Sequence, residues 1–231
     1  MFHLREVKTS RRSINNFSII MMTKEKGIRL EFSDGRSTLT TLAEINKAFA
    51  EIGSRILPLD LKSQPHEIRK LLKQPTLTKE ESDHLLNHFL LSRERLLEII
   101  TGAGREPHVS GGGALTTLVL PYNYKYPQLF LVEEGIDYSR FDRFHVNIAE
   151  DGTAVDEVAQ ILSGGGFVNH HRSPNGEILS LYVDCPGEDA GWILTYDGGY
   201  PHIGSISGAQ PGTKALVQVI GPETWVMRYD V

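Results

Sequence analysis

The sequence predicts an α+β fold in which an N-terminal, mostly helical region is followed by a barrel of short β-strands. The hydrophobic pattern has helical spacing in the first half and changes to alternation near Gly111, and alternation of this kind is typical of half-buried strands. Turn residues recur in the second half, which is typical of a sandwich or a closed barrel. We therefore predict a flexible tail over 1–22, a mainly helical region over 23–105 and the barrel over 106–231.

Composition and charge limit the classes of protein to which the chain can belong. Its 231 residues include a single cysteine, Cys185, which excludes an intrachain disulfide framework and is typical of a reducing, cytoplasmic location. Residues 106–231 have 6 Lys and Arg against 16 Asp and Glu, whereas binding to nucleic acid requires clustered cations. No apolar run approaches the roughly 18 residues of a membrane span. We expect neither a nucleic-acid nor a membrane partner.

The helical region has recognisable start and stop signals. Residues 28–32 alternate like a strand, and Thr41 and Thr78 each begin a capping box, in which Thr and the Glu three residues later satisfy the first free amides of a helix. The helix that starts after Thr78 is predicted to be the longest and to extend to about Ile100. Pro58 limits the extended segment around it to the edge of a sheet, because proline lacks an N–H group.

The second half contains ten predicted strands, which we assign to a double-stranded β-helix because two turn-separated halves would enclose a central pocket. The predicted strands are 115–120, 128–133, 143–148, 157–163, 166–170, 178–183, 191–195, 202–206, 213–220 and 225–229.

Four segments of this half together suggest a known family. They are Asp156-Glu157-Val158 through Phe167-Val168, Gly199-Tyr200-Pro201-His202, Lys214-Ala215 and Pro222-Glu223-Thr224-Trp225. These segments resemble the acireductone dioxygenases of the cupin superfamily, whose barrel is a double-stranded β-helix of the jelly-roll type. The resemblance covers roughly residues 140–230. It implies a pattern of His-x-His, three residues, Glu, a strand that ends in glycine, and a distant His.

Two alignments of this pattern are open. The first, which we prefer, places the glutamate at Glu157 and the distant histidine at His202, but the His-x-His positions then fall on Asp151 and Thr153. This alignment also places the family glycine at Gly164, seven residues after the glutamate.

The second alignment matches His145, Asn147 and Asp151 to the His-x-His-x3-Glu spacing, but Val158 then occupies the glycine position. His145 belongs to the strand before Glu157, so it approaches the same pocket in either alignment.

The resemblance implies a metal site formed by His145, Glu157 and His202, of which Glu157 and His202 would be catalytic. The implied cofactor is a divalent metal, iron or nickel with zinc as a third candidate. The implied function is a metal-dependent oxidoreductase of the dioxygenase type that acts on a small oxygenated metabolite. The alternative is a metal-free barrel that binds or senses a small molecule without catalysis. In a third hypothesis, the helical region recruits a partner. A homodimer is also left open.

The other candidate residues favour ordinary structural roles. His84 and His88 are four residues apart on a predicted helix without the intervening glutamate of a zinc motif, so we predict surface histidines. His170 and His171 point to opposite faces of a strand and are predicted to lie at the surface near a turn. Cys185 has no nearby base in the sequence and is not expected to be a nucleophile.

Overall fold

The computed structural model describes residues 26–109, 114–115, 127–139, 142–185, 188–229 and 231. The predicted tail over 1–22 and residues 116–120 of the first predicted barrel strand lie outside the described residues.

The described residues form twelve strands, four α-helices and a short 3₁₀ helix over Ala50–Ile52. The helices are α1 Leu42–Phe49, α2 His66–Lys73, α3 Lys79–Phe89 and α4 Arg93–Gly102. The strands are β1 Ile28–Phe32, β2 Arg55–Asp60, β3 Ala114–Leu115, β4 Gln128–Leu131, β5 His145–Ile148, β6 Asp156–Ser163, β7 Phe167–Arg172, β8 Ile178–Val183, β9 Ala190–Asp197, β10 His202–Ser205, β11 Lys214–Gly221 and β12 Val226–Tyr229.

The strands form two antiparallel sheets. Sheet A has the order β1-β8-β7-β10-β5-β12, and sheet B has the order β2-β9-β6-β11-β3, with β4 also paired to β11. The structure is therefore mostly β. Each sheet has one edge strand from the region that the sequence predicts to be mainly helical, because β1 pairs with β8 and β2 pairs with β9. Pro58 lies in β2, at the edge where its missing N–H is tolerated.

Helix α1 covers the core between the two sheets. The hydroxyl of Thr41 accepts the backbone N–H of Glu44, as the capping box predicts. Ile45 and Phe49, four residues apart on one face, are fully buried in the same cluster as the inward-facing residues of both sheets. The 3₁₀ turn that follows ends at Gly53, whose φ of 62° lies in the left-handed region that glycine adopts without strain.

The predicted long helix from Thr78 to Ile100 is wrong, because the chain breaks into α3 and α4 at residues 90–92. Two buried glutamines of sheet B take up the peptide groups that the break leaves free. The Gln218 side chain accepts the Leu91 N–H at 2.8 Å and donates to the Leu91 C=O at 3.0 Å, while Gln160 donates to the Phe89 C=O at 2.7 Å. None of the helices in the described ranges is long and apolar enough to span a membrane.

The segment after α4 is tied to sheet B directly behind the pocket. Arg105 forms an ion pair with Asp156 and donates to the Gly53 C=O at 2.7 Å. His108 lies 2.6 Å from an Asp197 carboxylate oxygen. The ion pair with Arg105 and the His108 backbone N–H, which donates to Asp156 Oδ2 at 3.0 Å, satisfy the Asp156 carboxylate, so Asp156 is buried and paired rather than solvated.

Candidate functional site

Three buried histidines lie side by side across sheet A. Strand β10 lies between β5 and β7, and the pairing places His202 opposite His145 on one side and opposite His171 on the other. The ring centroids of His145 and His202 are 4.4 Å apart, and those of His171 and His202 are 6.4 Å apart. The three residues therefore bring imidazole groups to one interior face of the barrel.

Glu157 approaches the same point from sheet B. Its Oε1 lies 3.2 Å from His202 Nε2, and its Oε2 accepts the hydroxyl of Tyr196 at 3.0 Å. Tyr196 is the cross-strand neighbour of Glu157 on β9. Asn147 of β5 donates its amide to Oε1. All four side chains are almost fully buried, so the two sheets meet at a polar centre inside an apolar barrel.

Backbone carbonyls orient two of the histidines. His145 Nδ1 lies 2.9 Å from the Arg143 C=O, and His202 Nδ1 lies 2.8 Å from the Tyr200 C=O. A carbonyl can only accept a hydrogen bond, so each Nδ1 carries a proton and each Nε2 is the nitrogen available to the centre. Histidines that bind metals are commonly fixed in this way.

The charges of these groups follow from their burial and from one another. Burial alone would raise the pKa of Glu157, but the charge and hydrogen bond of His202 lower it to about 2. Burial would lower the pKa of His202, but the Glu157 carboxylate raises it overall. Burial, followed by the charge on His202, lowers the pKa of His145 to about 4 and that of His171 to about 3. These shifts favour the charged forms of Glu157 and His202 as an ion pair, flanked by the neutral imidazoles of His145 and His171.

A cavity of about 60 Å³ adjoins the centre. Its polar end is formed by His145, Glu157 and His202, so the structure places all three sequence-predicted site residues on one cavity, while their catalytic and metal-binding roles stay predictions. Its walls are mainly apolar, which is typical of a site for a small molecule. The walls include Phe130, Ala159, Phe167, Ile206, Ala215, Val217 and Met227.

The polar centre combines residues from both alignments: His145 and Asn147 from the second, and Glu157 and His202 from the first. Asp151 and Thr153, which the preferred alignment uses, lie in the exposed β5–β6 turn, where the Asp151 side chain accepts the Thr153 N–H at 2.9 Å. Neither side chain lines the cavity. His145 and Asn147 face the centre instead, with Glu157 and His202. Residues 148–156 separate Asn147 from Glu157. The family pattern has only three residues at this point, so it does not match this combination.

The prediction for His171 is also wrong. Its side chain is 1% exposed, and its ring packs edge-on against Phe49 at 5.6 Å and Tyr196 at 5.3 Å. His170, on the other face of β7, is half-buried and lies 2.8 Å from the Ser180 hydroxyl. The pairing of β7 with β10 decides which of the two points inward, and adjacent histidines in a sequence give no sign of that pairing. Both predicted surface histidines of α3, His84 and His88, are exposed.

The donor atoms at the centre suit a divalent cation. The imidazoles of His145 and His202, one carboxylate and the amide of Asn147 come from three strands, and Asn147 Oδ1 is buried with no hydrogen-bond partner among the described residues. In the present arrangement, no three His, Cys, Asp or Glu side chains of the described residues surround one point. His202 contacts Glu157 directly at 3.2 Å, so a metal bound by both side chains would have to separate this pair.

Comparison with solved structures finds a similar fold. An acireductone dioxygenase from Bacillus anthracis, with a cadmium ion in its active centre, matches with a TM-score of 0.52 and 14% identity. The match covers 90% of this chain and 99% of that one. The two chains have a similar β fold. No family model matches the sequence, and no curated protein matches it. At this identity the likeness shows the fold alone.

Proposed function

We propose that the chain is a cupin-fold protein that binds a divalent metal at His145, Glu157 and His202, with Asn147 as a fourth, weaker donor. The observation on which this depends is the orientation of the two histidines. Nε2 of His202 lies 3.2 Å from the Glu157 carboxylate, and in both histidines a backbone carbonyl holds the Nδ1 proton and leaves Nε2 as the nitrogen available to a ligand. A histidine that binds a metal through one ring nitrogen almost always donates its other ring N–H to a carbonyl, a carboxylate or water.

The proposed activity is that of a metal-dependent oxidoreductase acting on a small oxygenated molecule. A bound metal supplies Lewis-acid or redox chemistry at the centre. The protein's own residues bind the small molecule, orient it and exchange protons with it. Tyr196 holds Glu157 Oε2 and fixes the plane of the carboxylate. The apolar walls exclude bulk water from the cavity, which strengthens every polar contact made inside it.

His202 has a second role in the proposal, because it must lose a proton when Nε2 binds the metal. When His202 is charged beside Glu157, both of its ring nitrogens carry a proton. Metal binding should therefore release about one proton at neutral pH. Calorimetric titration of the full chain with Zn(II), in buffers of different ionisation enthalpy, measures this number.

The test is binding of Fe(II), Ni(II) and Zn(II) by wild type, His202→Ala, Glu157→Gln and His84→Ala. His84 is an exposed histidine on α3, so its variant controls for nonspecific binding. We expect one metal site in the wild type, which is lost in His202→Ala and Glu157→Gln and kept in His84→Ala. Equal binding by all four proteins would refute the proposal.

The alternative is a metal-free barrel that binds a small molecule. Two observations favour it, namely the amide at Asn147, where the family pattern has a histidine, and the direct Glu157–His202 contact. Imidazole binds iron, nickel and zinc better than an amide oxygen does. Failure of the metal titration together with retained binding of small hydroxylated ligands would support this alternative.

A further inference from the structure

A second cavity lies on the outer face of sheet B, where helix α2 packs against the sheet. Its volume is about 280 Å³, and it lies between α2 and residues 162–164 and 211–212. Leu162 of β6 lines it and packs against α2, whereas the preceding residue, Ile161, is buried in the core between the two sheets. This cavity, which we call the α2 cleft, is therefore a different site from the Glu157–His202 centre.

Arg69 of α2 brings an unpaired positive charge to the cleft. Its side chain lines the cleft and forms no ion pair or hydrogen bond with any of the described residues. Its Nε is buried, but its two terminal nitrogens are not among the buried unpartnered atoms. The guanidinium is thus held at its base and open at its end. A planar guanidinium binds a carboxylate through two parallel hydrogen bonds.

The other two charges of the lining pair with each other. Lys73 lies four residues after Arg69, on the same face of α2. It forms an ion pair with Glu188, and about half of each of these two side chains is exposed. The described lining therefore has one uncompensated charge, that of Arg69, which suits a ligand with a single negative charge. A phosphate has nearly two negative charges at neutral pH, and it would be repelled by Glu188.

A buried lysine removes the charge that would otherwise repel an anion. The last carbonyls of a helix carry a partial negative charge, and the cleft lies at the C-terminal end of α2. Lys214 Nζ donates to two of these carbonyls, those of Leu72 at 3.1 Å and Gln74 at 2.6 Å. Burial alone lowers the pKa of Lys214, to about 8, so its ammonium is mostly charged at neutral pH. The end of α2 is therefore electropositive.

The remainder of the lining is mainly apolar and limits the size of the ligand. Leu72, Pro75, Leu162 and Pro211 line the cleft together with the charged residues. A short hydrocarbon chain would cover these side chains while its terminal carboxylate meets Arg69. The volume of about 280 Å³ is close to the lower limit of small-molecule sites, roughly 300 Å³, so the chain has only a few carbons.

We propose that the α2 cleft binds a small monocarboxylate, whose carboxylate pairs with Arg69 and whose hydrocarbon chain lies against the apolar side chains of the cleft. Arg69 is the anion-binding residue, and Glu188 excludes ligands with a second negative charge. The site does not depend on the proposed metal centre, because sheet B separates the two.

The first test compares hexanoate with hexanol, which lacks the charge, and with inorganic phosphate. NMR titrations of the isotope-labelled full chain follow the amide signals of Arg69, Ser163 and Gly212, which line the cleft. We expect saturable binding of hexanoate and at least about tenfold weaker binding of hexanol, which is the effect of a charge-assisted hydrogen bond. Phosphate should also bind more weakly than hexanoate. No saturable binding of hexanoate, equal affinity for hexanol, or tighter binding of phosphate would overturn the proposal.

The second test assigns the binding to Arg69. The matched control is Arg95, a helical arginine of α4 that is about half exposed. Arg69→Gln should weaken hexanoate binding at least about tenfold, Arg95→Gln should leave it unchanged, and Arg69→Lys, which keeps the charge without the planar fork, should lie between. Arg69→Gln should melt within about 2 °C of wild type, since Arg69 has no partner to lose. Equal affinity of the Arg69→Gln and Arg95→Gln variants would overturn the proposal.

The third test uses Glu188 and the metal. Glu188→Gln frees Lys73 and should tighten hexanoate binding about twofold to fivefold, the effect of one exposed ion pair; unchanged affinity would overturn the proposal. Arg69→Gln should keep the wild-type Zn(II) affinity within about twofold. If no Zn(II) binds to wild type but hexanoate binding still depends on Arg69, the metal site fails and the monocarboxylate site stands.

Discussion

The buried histidine His171 should make the stability of the protein depend on pH in mildly acid solution. Burial lowers its pKa from 6.5 to about 3, so the unfolded chain takes up a proton below pH 6.5 and the folded chain does not. Stability is therefore fully present above pH 6.5 and is lost as the pH falls towards the folded pKa. One pKa unit corresponds to roughly 1.4 kcal/mol, so this residue alone should cost about 3 kcal/mol between pH 6.5 and pH 4.5.

Between pH 4.5 and 6.5 the slope comes from the buried or half-buried histidines whose pKa burial lowers, which besides His171 are His145 and His170. The raised pKa of His202 affects stability only above pH 6.5, and the lowered pKa of Glu157 affects it only below pH 4.5. His145, with its pKa lowered to about 4, contributes a similar slope. Wild type should therefore lose roughly 3 kcal/mol per pH unit in the window, and His171→Leu about half of that.

Urea unfolding at pH 4.5, 5.5, 6.5 and 7.5 measures the slope for wild type, His171→Leu and His84→Ala. His84 is exposed, so its variant should keep the wild-type slope. If His171→Leu also kept the wild-type slope, the imidazole would be taking up a proton in the folded state. The account of a neutral, buried His171 would then be wrong.

Three further predictions concern the packing around the site. Gly164→Ala should be severely destabilising, because a Cβ there would lie 2.1 Å from Thr213 Oγ1. Gly176→Ala is the control, since Gly176 also has a positive φ but a Cβ there would have nothing within 4 Å, and it should cost only about 1 kcal/mol. Thermal melts of both variants measure the difference in stability. Gln218→Leu should cost about 2–4 kcal/mol by urea unfolding, because it leaves two groups of the α3–α4 peptide unpaired. Lys214→Met should lower the free energy of unfolding by at least about 2 kcal/mol in the same assay, since the buried ammonium donates to three backbone carbonyls. Unchanged stability would show that water takes the place of the ammonium at these carbonyls.

Local signals in the sequence predicted the elements whose causes are local. The full capping box formed at Thr78, while at Thr41 the side-chain cap formed and Glu44 accepts the threonine hydroxyl instead of the backbone N–H; Pro58 lies at a sheet edge. The break between α3 and α4 could not be predicted in this way. The apolar stripe continues across it, and Gln218, the side chain that holds the free peptide, is 127 residues away from it in the sequence.

The sequence predicted only part of the candidate site, for a similar reason. Glu157 and His202 stand out because each keeps its spacing to a glycine-containing turn. Asn147 and His171 do not, because their positions depend on the length of the β5–β6 connection and on which strand lies beside β10. Both are consequences of strand pairing over long sequence distances, and alternation along one strand carries no information about them.

The pairing of the edge strand β1 with β8 determines when β1 can fold during synthesis. Ile28 pairs with Val183, so roughly 150 residues must be synthesised before this strand meets its neighbour. At about 5–20 residues per second this delay is on the order of 8–30 seconds. Throughout that interval an apolar segment leaves the ribosome without its partner and presents free backbone groups. Nascent chains halted before residue 178 should therefore be cleaved by protease near residues 28–32, and chains long enough to free β8 from the ribosome should be protected there.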